Sequence, residues 1–144
     1  MWNYNGIEFT EDMVGENQSF VYIIINNLNA KRYIGKKQLY FSKTRQIKGK
    51  KKRFKVVSDW KTYYGSNRCL QDDVKAHGQE NFTRIIIKLC KTKSDASYWE
   101  TYHIFQVHAL LLDRYYNEWV TAKISKKHLN ITADDVFLAK KKMI

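Results

Sequence analysis

The stretch Ser19–Lys37, SFVYIIINNLNAKRYIGKK, constrains the fold more than any other part of this chain. Its first half, FVYIIIN over 20–26, is a β-branched and aromatic run of the kind that fills a buried strand. Asn26, Asn27, Asn29 and Ala30 supply turn residues, and KRYIGK over 31–36 alternates again. If Asn27–Ala30 close a hairpin, Asn26 pairs with Lys31, Ile24 faces Tyr33 and Tyr22 faces Gly35. That register puts Tyr22 and Tyr33 on one face as diagonal neighbours, close enough to act on one bound group. Gly35 has no side chain opposite Tyr22, which leaves room for a ligand to approach the backbone.

Immediately after the hairpin the composition shifts. Residues 36–58 hold many Lys and Arg and no acid up to Val57, and Lys48–Lys55 (KGKKKRFK) repel one another too strongly for a core. A solvated or disordered loop, or a localisation signal, is the plain explanation. Tyr40, Phe41 and Phe54 interleaved with the cations favour an ordered basic loop or arm that lies on phosphates. The whole chain agrees with this: 144 residues carry 26 Lys and Arg against 14 Asp and Glu, a net charge of +12, which favours a polyanionic partner. A solubilising surface or a ribosome-associated protein is the bland counterpart. With apolar residues at 44% the chain can build a core. No apolar run is long enough to span a membrane, and the start, MWNYNGIEFTED, is unlike a targeting peptide. Cys69 and Cys90 form no CxxC pattern and read as free thiols, so a soluble cytoplasmic protein is expected.

The remaining elements are read from periodicity. Trp2, Tyr4, Ile7 and Phe9 alternate loosely and suit an edge strand or a packed arm. Ser66 or Asn67 can cap a helix to His77, with Leu70 and Val74 on one face and Gly78 as its stop. Residues 82–90, FTRIIIKLC, read as a strand with Thr83, Ile85, Ile87 and Leu89 inward and Arg84 and Lys88 outward. Ser94 opens a long helix to about Arg114. One of its stripes is Tyr98, Tyr102, Phe105, Ala109 and Leu112, and a second is Ile104, Val107 and Leu111. Glu100 lies on the second stripe, a costly place for a carboxylate that is not paired, protonated or metal-bound. The local alternative is a capping box, Ser97-x-x-Glu100. Thr132–Lys142 reads as a terminal helix with acids at its start and lysines at its end. Neither proline nor repeats mark a linker, so one domain is expected over 1–144: a core over 20–119, a basic insertion over 37–58 and a helical tail over 123–144.

The chain has no HExxH, no Walker loop and no Ser-His-Asp spacing, and its histidines are scattered. Two tyrosines, a basic neighbourhood and one inward glutamate remain. Tyrosine serves as a general base only where cations lower its proton affinity, and Lys36 and Lys37 supply cations. One glutamate can hold Mg²⁺, which keeps waters and takes phosphate oxygens. Together these suit phosphodiester hydrolysis.

Val21-Tyr22-Ile23 followed by Tyr33-Ile34-Gly35 resembles the signature of the GIY-YIG endonuclease superfamily, with Phe20-Val21-Tyr22 standing where Gly-Ile-Tyr is usual. Gly65-Ser66, Leu70 and His77-Gly78-x-x-x-Phe82 are similar to the middle of phage homing members, and the likeness covers about Phe20 to Trp119. Set beside the elements above, it implies an α+β fold: a small three-stranded antiparallel sheet flanked by helices, with the basic insertion after the second strand. It implies Tyr33 as general base, Tyr22 as orienting group and Glu100 as holder of one divalent cation, Mg²⁺ with Mn²⁺ able to substitute. Asn117 braces the site, and Gly35, Lys36 and Lys37 lie against substrate. The family's arginine has several candidates: Lys43 at the simple spacing, Arg45 and Arg53 nearby, and Lys61 if DWKTYYG is the helix; Arg45 is favoured. Tyr64 or Tyr63 takes the place of a further active-site ring. The implied activity is metal-dependent cleavage of double-stranded DNA by a monomer or DNA-induced dimer of phage or mobile-element origin. A degenerate nucleic-acid-binding module on the same fold is the alternative.

Overall fold

The computed structural model describes residues 1–141. Strands β1 (Trp2–Tyr4), β2 (Ile7–Glu8), β3 (Ser19–Asn26) and β4 (Arg32–Gln38) precede a separate pair, β5 (Tyr40–Ile47) and β6 (Lys50–Val57). Then come α1 (Arg68–His77), β7 (Phe82–Cys90), α2 (Lys93–Gln106) and α3 (Ala133–Lys141). The main sheet runs β2-β1-β7-β3-β4, and β5-β6 stands as its own two-stranded sheet. The fold is therefore α+β. Its antiparallel centre, β7-β3-β4, is widened to five strands because the N-terminal residues add β1 parallel to β7, with Trp2 beside Arg84. Trp2 anchors that addition: its indole N–H donates to the Trp60 carbonyl at 2.7 Å and its ring packs on Phe20 and Tyr22.

Strand β3 is a continuous apolar and aromatic run from Phe20 to Ile25 because both its faces are covered. Phe20, Tyr22 and Ile24 pack with Trp2, Trp60, Leu70, Val74 and Ile86 on the α1 side. Val21 and Ile23 pack with Ile34, Ala96, Trp99 and Ile104 on the α2 side. The β3–β4 register is the one the hairpin spacing predicts: Ile24 opposite Tyr33 and Tyr22 opposite Gly35. Helix α1 also starts and stops as expected, with the Asn67 side chain accepting from the Leu70 N–H.

Four expectations need correction. Arg84 faces inward, 3% exposed, donating to the carbonyls of Lys61 (3.1 Å) and Tyr63 (2.8 Å) between the rings of Trp2 and Tyr64. The alternation in β7 breaks at a bulge: Val21 pairs with Lys88 but Tyr22 with Ile86, so Phe82, Arg84 and Ile86 share the α1-side face. The basic insertion is a β-hairpin, not a loop or arm; Lys48 and Gly49 both take positive φ (51° and 76°), a two-residue turn whose twist matches the strands. Helix α2 starts after Thr92, whose side chain accepts from the Asp95 N–H, which rules out the Ser97–Glu100 capping box. It ends at Gln106, not Arg114. His108 is left-handed (φ 56°), the Ala109 N–H reaches the Ile104 carbonyl and the His108 N–H that of Phe105, a Schellman end. Leu111 thus leaves the second stripe and is 80% exposed. The terminal helix is present to Lys141, and Lys142 lies outside the described residues. Among the described residues no helix is long and apolar enough to cross a membrane.

Candidate active site

The site forms along the free edge of β4, the last strand of the sheet. Alternate residues of that strand turn their N–H and C=O groups away from β3, and each must find a partner or water. At Arg32 the N–H donates to the Arg114 carbonyl and the carbonyl accepts from the Tyr116 N–H, both at 2.7 Å. At Ile34 the Asn117 amide takes over, accepting from the N–H at 3.0 Å and donating to the carbonyl at 2.8 Å. At Lys36 the N–H lies against the Glu100 carboxylate. Backbone at Arg32 and the Asn117 amide at Ile34 close the edge in succession, and the Glu100 carboxylate stands beside the next position. The apolar packing of α2 on the Val21 face brings Glu100 around to it.

The tyrosines reach the same edge from the opposite face. Tyr22 and Tyr33 lie 6.2 Å apart between ring centroids, tilted by 44°. The space above Gly35 is filled by Tyr22 itself: a Cβ there would lie 2.5 Å from Tyr22 Cζ and 2.9 Å from Tyr33 Cε2. Gly35 thus seats the tyrosine, where the sequence suggested room for a ligand. Tyr63 stands edge-on to Tyr22 at 6.0 Å, and the Lys37 ammonium lies 4.0 Å above the Tyr63 ring while pairing with Asp59 at 2.6 Å. The Tyr33 hydroxyl is 3.3 Å from Ser66 Oγ. The Lys36 ammonium donates to Ser97 Oγ at 2.6 Å, one helical turn before Glu100.

Burial dominates the electrostatics. It holds the Tyr22 phenol well above its ordinary proton affinity, with Tyr63 and Tyr33 adding to the shift. Tyr33 is raised by burial against the opposing bond from Ser66, with Glu100 adding further. Glu100 is raised by burial, opposed by the ammonium and N–H of Lys36. Asp59 is lowered by its bond from Lys37. A cation placed among these groups would relieve the carboxylate and draw protons off the phenols.

The expected residues divide. Tyr22, Tyr33, Gly35, Lys36, Lys37, Glu100 and Asn117 come together at the β4 edge. Arg45, Lys43 and Arg53 belong to the β5–β6 ribbon, with Arg45 stacked 5.5 Å over Phe54, Lys43 opposite Phe54 and Arg53 opposite Thr44. Lys61 pairs with Glu11 and lies over Trp60. Tyr64 lies under Arg84 at 4.1 Å, so Tyr63 joins the tyrosines; the chain is extended there and consecutive side chains diverge. Ser66, Ser97, Asp59 and Arg68 were not singled out for the site. Arg68 opens α1 and lines, with Tyr33, Ser66 and Asn117, a cleft of about 180 Å³. The Ser97–Glu100 spacing was the signal for Ser97, since it places both on one helix face; nothing in the spacing points to Arg68.

Comparison with known proteins places the chain in a family. The family described as "Putative endonuclease segE, GIY-YIG domain" matches residues 2–120. The protein described as "Putative endonuclease segE" of Enterobacteria phage T4 is 31% identical over 98 residues, covering 68% of this chain and 39% of that protein. The chain thus spans well under half the length of that relative. No solved structure matches significantly. On the strength of the family match across most of its length, the chain belongs to the segE GIY-YIG domain family.

Proposed function

We propose that this chain is a metal-dependent DNA endonuclease that hydrolyses phosphodiester bonds at the β4 edge. The observation that carries the proposal is the convergence there of Tyr33 and the Lys36 ammonium from β4 with Glu100 from α2. The residues fit a hard divalent cation. Glu100 is half-buried, its proton affinity is raised, and among the described residues it forms no ion pair. Nor does any cluster of three His, Cys, Asp or Glu occur among them, so a metal would take one carboxylate and fill its shell with water and phosphate oxygens, as Mg²⁺ does. When bound, such an ion would stabilise the developing oxyanion and lower the proton affinity of the water and phenol beside it.

The side chains supply the rest. Tyr33 orients the attacking water through its hydroxyl and, once ionised, accepts its proton as the bond from phosphorus to the leaving oxygen breaks. Tyr22, 1% exposed, cannot reach a phosphate and acts by holding Tyr33 in place. Lys36, fixed by Ser97, meets phosphate charge next to Glu100. Arg68, at the mouth of the Tyr33 cleft, takes the role that the sequence assigned to Arg45. Asn117 locks the strand on which Tyr33 and Gly35 sit. The substrate is double-stranded DNA, and one such site cuts one strand at a time.

Glu100→Ala is expected to abolish Mg²⁺-dependent cleavage of duplex DNA, a loss of at least about 10³-fold, while leaving binding in EDTA within about threefold of wild type. The raised phenols favour a second reading, a binding module without catalysis. If the wild type cuts no DNA with Mg²⁺ or Mn²⁺, that second reading replaces the first.

A further inference from the structure

The β5–β6 ribbon is cationic on both faces. Residues paired across an antiparallel ladder share a face. One face therefore carries Phe41, Lys43, Arg45, Lys50, Lys52 and Phe54, and the other carries Thr44, Lys51, Arg53 and Lys55. All these cations are exposed, and among the described residues none of them forms an ion pair. No layer covers either face: the ribbon packs mainly on itself. Eight-residue strands give it a reach of about 26 Å.

Edge protection and solubility explain charge, but they are served by mixed signs as well as by one. A protein element lying flat on DNA needs cations on one face only. Cations on both faces, with no acid between Tyr40 and Val57, suit an element with phosphates on either side. The major groove of B-DNA, about 12 Å wide, is the surface that admits a two-stranded ribbon and flanks it with both phosphate backbones; the minor groove, about 6 Å wide, does not. The ribbon also leads to the site. Phe41 at its base lies 5.0 Å from the Lys37 ammonium, and a cleft of about 420 Å³ joins Phe41 to Lys36, Lys37 and Lys93.

We propose that the β5–β6 hairpin inserts into the major groove of duplex DNA, its two cationic faces against the two phosphate backbones, and so holds a scissile strand at the β4 edge. The choice of DNA rests on the nuclease reading; the groove insertion rests on the ribbon. Binding of a 30-base-pair duplex in EDTA, followed over a range of salt, tests it. Each phosphate contact contributes about 0.9 to the slope of log K against log salt. The variant Lys43→Gln/Arg45→Gln/Lys50→Gln/Lys52→Gln is expected to lower the slope by about 3.6, and Lys51→Gln/Arg53→Gln by about 1.8, on this count. Lys43→Arg/Lys50→Arg/Lys52→Arg, with the same fold and charge, should keep the wild-type slope. Methyl green, a major-groove ligand, should compete, and netropsin, a minor-groove ligand, should not. A wild-type slope in either glutamine variant that retains its melting transition, or competition by netropsin alone, overturns the proposal. Wild-type cleavage with Mg²⁺ separates the two readings. Ribbon-dependent binding without cleavage overturns only the nuclease reading, and cleavage with ribbon-independent binding overturns only this one.

Discussion

At Gly35 a single missing Cβ decides the position of two rings. The Tyr22 phenol occupies the space a side chain would need, and Tyr33 closes it from the flank. Gly35→Ala is therefore expected to push Tyr22 aside. It should destabilise by about 1–3 kcal/mol, as overpacking does, and lower cleavage by about 10²-fold through a displaced Tyr33. Thermal melting and initial rates on the same preparation check both effects. Asn117 acts on the opposite side of the strand. Both its amide atoms bond to Ile34, and it is 8% exposed, so its removal would leave a buried N–H and C=O without partners. Asn117→Ala should cost about 2–4 kcal/mol in chemical denaturation. The pairing of Tyr22 with Gly35 was legible in the sequence because a hairpin of this loop length fixes its register. What Gly35 is for was not, since spacing says which residues face each other but not which side chain fills the gap.

At the scale of elements, two irregularities redirect the chain. The bulge in β7 turns Arg84 under Trp2 and Tyr64, where regular alternation from Leu89 would have put it on the α2-side face. The left-handed His108 ends α2 early, so residues read as a helical stripe become an exposed turn. Neither leaves a clear mark in the sequence. The end of α2 has no glycine, and apolar periodicity continues past it. His108 in this conformation carries a steric cost that glycine would not. His108→Gly is expected to stabilise the protein by about 1 kcal/mol, read as a higher denaturation midpoint with an unchanged slope.

For the molecule as a whole, the burial that assembles the site also works against it. Glu100 has a folded-state proton affinity above its ordinary value of 4.5, so its ionisation is resisted by the fold. The stability it allows is complete below that value and is lost as pH rises through the higher folded value. Glu100→Gln, without this loss, should melt at a higher temperature than wild type at pH 8 in EDTA. The difference should shrink toward pH 4, and Mg²⁺ should raise the wild type but not the variant. Melting curves at the two pH values, with and without the ion, check the sign. By itself the sequence determined the hairpin and its register, the caps of α1, the basic character of the insertion and the identity of the inward glutamate. These depend on local spacing, turn residues and charge. Only the tertiary structure decided that the insertion is a ribbon, that β1 joins β7, that Tyr63 rather than Tyr64 meets Tyr22, and that Arg45 stays away while Arg68 comes near Tyr33. Those outcomes depend on which surfaces pack together across the sheet, and packing between residues far apart in the chain has no period to read.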